Sequence, residues 1–297
     1  GYSQGFDFGP TANGVSLGRY LNSLGEVDYV AQQSRSLGTD NTGPLVGPVV
    51  INEIHSQPRV GEPSYIEIKN ISGEEVPLFD PLYPSNTWQV EGIGFSLPLG
   101  IRLAPGELLI LASVDEAQFR SVFAIPESVK VLGPFAGQLQ PDGERIKLLR
   151  PDDPEETTSG TMVPMILVDS VRYDDQAPWP DLQAVAGASL EKIQSASYGN
   201  DPAHWRSSFG QPSPGVDNDG NRAPVVEVGE SHSLSAEQFP LIVRLGGEAW
   251  DDGLPESSPG LIFEWVQVEG PGQLYFASPD NLNTELWVPG AGAWKVA

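Results

Sequence analysis

Apolar and polar positions alternate over short runs along most of the chain. In "SYIEIKN", Ile66 and Ile68 alternate with Tyr65, Glu67 and Lys69, the two-residue period of a half-buried strand. Similar runs recur as "GPVVINEIH", "EGIGFSLPLGIRL", "ELLILAS", "VKVLGPF", "ERIKLLR", "MILVDSVRY" and "ASLEKI". Turn-formers such as "VGEPS", "LAPGE", "QPDGE" and "DDPEETTSGT" separate them. One helix signal stands out: Ser113, with Glu116 three residues on and "AQFRSVF" after it, reads as a capping box. A short helical turn is expected at "DPAHWRSS". The pattern predicts an all-β chain of sandwiches with only short helical turns.

Two stretches punctuate this pattern. Residues 208–224, "SFGQPSPGVDNDGNRAP", have the Gly, Pro, Asp and Asn density of a linker. Beyond them "PVVEVG", "FPLIVRLGGEAWDDG", "LIFEWVQVEGPG" and "TELWVPG" read as a smaller antiparallel sandwich. Residues 37–48, "LGTDNTGPLVGP", mark an earlier boundary and set the first forty-odd residues apart.

Within that first piece, "GVSLG" (Gly14–Gly18) matches G-x-S-x-G, the nucleophile elbow of serine hydrolases. The elbow requires a strand before it and a helix after it. Here "FDFGPTAN" precedes as a turn, and "RYLNSLGEVDYVAQQS" follows as two β-prone pieces broken at Gly25. The pattern also recurs as "GASLEKI", with Glu191 where the second glycine belongs. Ser16 is therefore read as part of a turn entering a strand.

Charge narrows the partners. The 297 residues hold 16 Lys+Arg against 40 Asp+Glu, a net charge of -24. Such a field repels nucleic acid and anionic membranes and attracts divalent cations. No apolar run approaches the length of a membrane span, so direct membrane insertion is not expected. Cysteine is absent, which removes disulfides and thiolate chemistry. The three histidines, His55, His204 and His232, do not pair at metal-site spacing, and His204 beside Trp205 reads as structural. Gly (33) and Pro (28) are frequent enough to support many turns.

With these pieces in place, the middle of the chain resembles a bacterial lamin-tail domain. The resemblance rests on "VVINEIH" followed by "SYIEIKNIS", then "LAPGELLILA", "DSVRYDDQAPWP", "GASLEKI", "NDPAHW" and "PSPGVDN", in the family's order across about 165 residues. The long loop "LFDPLYPSNTWQVEG" and the acidic insertion "PDDPEETTSGTMVP" depart from it. The last part resembles a PKD-like immunoglobulin-type repeat through "NRAPVVEVGE", "DDGLP", "FEWVQVEGPG" and "PGAGAWKVA", without the family's final strand residues. The resemblance implies tandem immunoglobulin-like β-sandwiches: residues 1–45 close a preceding lamin-tail-like module, 46–216 form a lamin-tail-like sandwich, and 217–297 form a truncated PKD-like one. It further implies a non-enzymatic structural or adhesive region of a large secreted or cell-surface bacterial protein. Surface polysaccharide or another extracellular protein would be the partner. A carbohydrate-binding module accessory to a catalytic domain elsewhere in the protein is the alternative.

Candidate chemistry lies in the acidic turns. Asp217, Asp219 and Asn221 sit at alternate positions like the start of an EF-hand loop, but the sixth-place Gly and twelfth-place Glu are missing, and Glu227 stands eleventh. The PKD-like resemblance implies a different Ca²⁺ site, at Asp219, Asn221, Asp251 and Asp252. Glu53 and Glu67 fall on neighbouring predicted strands; they are read as charges on the solvent face of a sheet rather than a hydrolase pair. Asp152–Glu156 reads as a solvated loop. Trp88, Trp179 and Trp250 are candidates for stacking on sugar rings, against burial in a sandwich core.

Overall fold

Strands form where the apolar runs predict them, and left-handed glycines sit at the turns between. The computed structural model describes residues 8–158, 160–183, 186–208, 211–219, 224–229, 233, 238–251 and 261–297. The chain divides into two compact units, between Gly220 and Asn221.

In chain order the first unit begins with β1 (Leu17–Leu21), β2 (Val27–Ala31), β3 (Val49–His55) and β4 (Tyr65–Asn70). Short strands follow: β5 (Val76–Pro77), β6 (Gln89–Glu91), β7 (Phe95–Ser96) and β8 (Arg102–Leu103). Next come β9 (Leu108–Ala112), α1 (Glu116–Val122), β10 (Lys130–Leu132) and β11 (Gly143–Pro151). The unit ends with β12 (Glu155–Thr157), β13 (Gly160–Met162), β14 (Met165–Asp174), β15 (Leu190–Lys192), a 3₁₀ turn at Pro202–His204, and β16 (Trp205–Ser207).

Six strands, in the order β10-β9-β4-β3-β15-β16, make one sheet, and β14-β11-β6-β7 make a second. Their inward residues share one core: Ile51, Ile54, Ile66, Ile68 and Leu109 from the first meet Val90, Ile146, Leu148 and Val171 from the second. This is an all-β sandwich. Trp88 belongs to that core at 4% exposure, and half-buried Trp179 packs beside Trp205 at 6.4 Å; the Trp250 side chain lies outside the described residues.

The helix starts later than the capping-box reading places it. Asp115, not Ser113, is the N-cap, and it accepts the Gln118 N–H at 2.9 Å. Asp115 takes the role because its side chain reaches the N3 amide once the chain has left β9 at Ala112. The single buried residue of α1, Phe119, packs on Tyr65, Ile110 and Ala112. These three stand on the outer face of the six-stranded sheet, so α1 covers one end of a face that the alternation alone would leave to solvent.

At the N-terminus, Gly14 (φ +82°) turns the chain into β1, and Gln32 N–H donates to the Ser16 carbonyl. A strand, not a helix, follows Ser16. Gly187 (φ +79°) does the same before β15, so both copies of the recurring pattern build a left-handed turn into a strand. The β1–β2 hairpin is tied to the rest of the unit by Ser23, whose backbone N–H and hydroxyl both donate to Asp201. Asp201 also caps the 3₁₀ turn through Ala203 N–H. Asp201→Ala is expected to speed amide exchange in β1 and β2 by about tenfold, the loss of ~1.4 kcal/mol of local tethering, while the tryptophan-monitored midpoint of the unit barely moves. Hydrogen-exchange mass spectrometry reads both regions in one sample.

The second unit contains β17 (Val225–Val228), β18 (Leu241–Leu245), β19 (Gly247–Trp250), β20 (Gln267–Glu269), β21 (Tyr275–Phe276), β22 (Thr284–Val288) and β23 (Lys295–Val296). They pair as β17-β19, β18-β22-β21 and β20-β23. Its core is small: Leu274, Leu286 and Val288, with Leu241, Val243, Phe276 and Trp294 against them.

Candidate functional site

The register of the six-stranded sheet places four ionisable side chains in one row. Glu67 on β4 lies opposite Glu53 on β3, Glu53 opposite Glu191 on β15, and Glu191 opposite Arg206 on β16. Cross-strand neighbours stand ~5 Å apart, and like charges in that relation repel. All three glutamates are nonetheless fully buried. The expectation that Glu53 and Glu67 occupy a solvent face is thus overturned.

Burial follows from a strap. Residues 211–219 belong to the stretch that reads as a linker, yet they lie bound across this row. Glu53 accepts hydrogen bonds from Ser213 N–H at 3.0 Å, Ser189 Oγ at 2.6 Å and Tyr65 Oη at 2.6 Å. Glu67 accepts from Gly215 N–H at 2.6 Å and from Asn52 Nδ2 at 2.9 Å. Glu191 accepts from Ser213 Oγ at 2.7 Å and Arg206 Nε at 3.2 Å. Asn218 Nδ2 closes the strap onto the Asn52 carbonyl at 3.0 Å. Gly215 has φ +80°, a conformation that glycine adopts without a side-chain clash as its N–H turns towards Glu67.

A bulge makes the row possible. The β3–β4 register shifts between Ile51 and Glu53, leaving Asn52 as the extra residue. Strict alternation would send Asn52 to the face opposite Glu53. Here the Asn52 amide reaches Glu67 on the same side of the sheet.

The electrostatics follow from removing carboxylates from water. Burial, reinforced by the Glu191 carboxylate, pushes Glu53 up to about 7. Burial and then Glu53 hold Glu67 well above the ordinary carboxylate range. Near neutrality the row therefore keeps a proton between Glu53 and Glu67, with Arg206 as the cation at its end. Burial also raises the Tyr65 hydroxyl, keeping it the neutral donor to Glu53. Two residues along, His55 lies opposite Tyr65 and its ring packs against those of Tyr65 and Phe123. Burial pulls His55 down to about 4.

Asp219 has a structural partner. Its Oδ1 accepts the Ser195 N–H at 2.6 Å; its Oδ2 accepts Lys69 Nζ at 2.8 Å and the Ser195 hydroxyl. Asp217 Oδ1 takes the same Lys69 Nζ at 2.6 Å. The alternating Asp217 and Asp219 that resemble an EF-hand start thus form a clamp on one lysine. Burial opposes ionisation of Asp219, but these bonds win and hold its carboxyl below the usual range. Asn221 and Asp252 lie outside the described residues. Asp251 belongs to the second unit, at the end of β19, and Glu227 is exposed on β17. Among the described residues, no group of three or more His, Asp or Glu side chains is arranged to hold a metal ion.

Other sequence candidates resolve simply. Glu155 and Glu156 stand on the exposed β12–β13 hairpin. His204 ends the 3₁₀ turn with Nδ1 2.8 Å from the Tyr198 carbonyl. Sequence reading missed Glu191 as a third member of the carboxylate row. The signal was present, since "GASLEKI" differs from "GVSLGRY" by carrying that charge in place of a glycine.

Chemically, the row stores a proton and grips backbone amides. All three carboxylates are fully buried beneath the strap. Comparison of the chain with protein-family models, with characterised proteins and with solved structures finds no match.

Proposed function

We propose that the chain is a non-enzymatic structural and adhesive region of a large secreted or cell-surface bacterial protein, a lamin-tail-like sandwich (46–216) followed by a PKD-like one (217–297). The observation that carries this reading is that the carboxylates and the serine of the first unit that the sequence offers as candidate chemistry are, among the described residues, engaged in its turns and packing. The paired carboxylates grip the strap, the Asp217–Asp219 turn grips Lys69, and Ser16 enters a strand. Support for the lamin-tail likeness is the all-β sandwich, in which the family-like segments "VVINEIH", "SYIEIKNIS" and "LAPGELLILA" supply three adjacent strands, β3, β4 and β9.

The test is chemical. A fluorophosphonate probe is expected to leave Ser16 unlabelled, and labelling abolished in Ser16→Ala would overturn the reading. Ca²⁺ as a stiffener is read out by thermal unfolding in EDTA and then in millimolar Ca²⁺. A ligand at a hundred times its dissociation constant adds about 2.7 kcal/mol, several degrees in a small domain. The cation reading requires that such a shift vanish in Asp251→Ala and Asp252→Ala; the bonds of Asp219 to Lys69 and Ser195 weigh against its joining such a site.

The carbohydrate-binding alternative draws on one observation in the second unit. Ile242, Trp287 and Tyr275 stand side by side on β18, β22 and β21, 57%, 46% and 65% exposed. A neutral-glycan array separates the readings: hits lost in Trp287→Ala favour the alternative.

A further inference from the structure

Outside the carboxylate row, the first unit carries a groove of about 620 Å³ between its N-terminal segment and the four-stranded sheet. This is the size of an ordinary ligand pocket. Arg145, Lys147 and Arg150 of β11 line one side, and Val15, Leu17 and Leu45 line another. Acid outnumbers base in this chain, 40 Asp and Glu against 16 Lys and Arg, so carboxylate partners for a groove cation are plentiful. Lys147 is matched by Glu91 at 2.7 Å. The other acids of the groove are also occupied: Asp169 stands 3.6 Å from Lys192, and Asp28 accepts from Tyr198 Oη and Asn200 Nδ2 at 3.0 Å each. Arg145 and Arg150 have no carboxylate partner among the described residues, and neither does exposed Arg172, which lies directly opposite Arg145 on β14.

We infer that this groove binds an acidic saccharide, whose carboxylates pair with Arg145 and Arg150 while its ring faces lie against the apolar wall. A planar guanidinium takes a carboxylate through two parallel hydrogen bonds, the geometry these arginines have to spare. An extended acidic peptide would be expected to add to the free edge of β14. Two amides of that strand are already taken: Arg172 N–H by Asn200 Oδ1 at 2.8 Å and Ser170 N–H by Asp169 Oδ1 at 2.9 Å. A saccharide needs no such ladder. Ser170 and Thr11 line the groove as partners for hydroxyl groups. The inference rests on the adhesive reading and names its ligand class.

Isothermal titration of the full chain with trigalacturonate tests it, with maltotriose and hexaglutamate alongside. Trigalacturonate is expected to bind, more weakly as salt rises, and maltotriose is not. Arg145→Gln and Arg150→Gln are each expected to weaken binding about tenfold. Arg19→Gln, at an exposed arginine outside the groove, should leave binding unchanged. Near-ultraviolet circular dichroism confirms that each variant keeps its fold. No binding of trigalacturonate by the folded chain overturns the inference, as does an equal loss in Arg19→Gln. Equal binding of hexaglutamate overturns the saccharide assignment. Cleavage of trigalacturonate during the titration, read by chromatography of the recovered sugar, would instead sink the non-enzymatic reading; the groove variants report binding independently of it.

Discussion

Replacing Asp169 with alanine is expected to lower the unfolding free energy of the first unit by about 3–5 kcal/mol at pH 7. Asp169 sits where the two sheets meet. Its Oδ2 accepts the Ile51 N–H of β3 at 2.9 Å, beside the bulge, and the same oxygen is 3.6 Å from Lys192 Nζ. Lys192 is fully buried, its Nζ has no hydrogen-bond partner, and it lies 5.9 Å from the Trp205 ring. Burial already lowers its pKa, with Asp169 the main opposing influence. Removing Asp169 leaves a buried ammonium uncompensated and a backbone donor without its acceptor. Because Lys192 can then shed its proton, the deficit should shrink as pH rises towards the ordinary lysine range of about 10. Urea denaturation at pH 7 and pH 9.5 checks both statements. The double variant Asp169→Ala/Lys192→Met should recover part of the loss, and a deficit independent of pH would count against the ion-pair account.

Glu53→Gln is expected to reshape the pH profile of stability and to make the protein more stable than wild type above neutrality. Two buried groups drive the wild-type profile in opposite directions. Burial lowers His55 from 6.5 to about 4, so between those values the unfolded chain binds a proton that the folded chain does not. The stability linked to His55 therefore falls as pH drops from 6.5 to about 4, by about 3 kcal/mol in all. Glu53 is raised from 4.5 to about 7, so the folded chain keeps its proton longer. Its contribution is complete below 4.5 and is lost as pH rises through about 7, again about 3 kcal/mol in all. Glu67, raised by the same burial, acts in the same direction as Glu53. Over the shared window the His55 slope is opposed by two carboxylate slopes, so wild type loses stability as pH rises from 4.5 towards neutrality, and Glu67 carries the decline further. Glutamine keeps an Oε1 for Tyr65, Ser189 and Ser213 and removes the repulsion from Glu191. Its profile should lack the Glu53 decline, staying near level between pH 4.5 and 6.5 where His55 and Glu67 oppose each other, so that the gain over wild type grows up to about pH 7. Denaturant midpoints at half-unit pH steps decide it: two parallel curves would mean that Glu53 does not titrate with folding.

How much of this was legible beforehand depended on the range of the interaction. Strands β3, β4, β9, β11 and β14 could be read from apolar runs because each run buries its own inward face. The capping box at Ser113 and Glu116 matched the motif but not the chain's exit from β9, and Asp115 was better placed to cap. The same local logic misread "QPSPGVDND". Its Gly and Pro are those of a linker, yet its amides and hydroxyls match the acceptors that Glu53, Glu67 and Glu191 present on three adjacent strands. Glu53 and Glu191 lie 138 positions apart in sequence, and no local pattern announces that they are neighbours.

The amino-acid order by itself determined the all-β class, the places of the main strands and turns, and the turn-to-strand character of Ser16. Each depends on a period of two, on a glycine able to take positive φ, or on residues within one strand of each other. Tertiary structure alone decided which polar residues would be buried. Pairing β4, β3, β15 and β16 side by side lines up three carboxylates and an arginine, and α1 and the strap then exclude water from a face that alternation assigns to solvent. Whether a glutamate is a solvated charge or a buried proton carrier depends on what covers it, and for Glu53 and Glu67 the covering strap lies more than a hundred residues away along the chain.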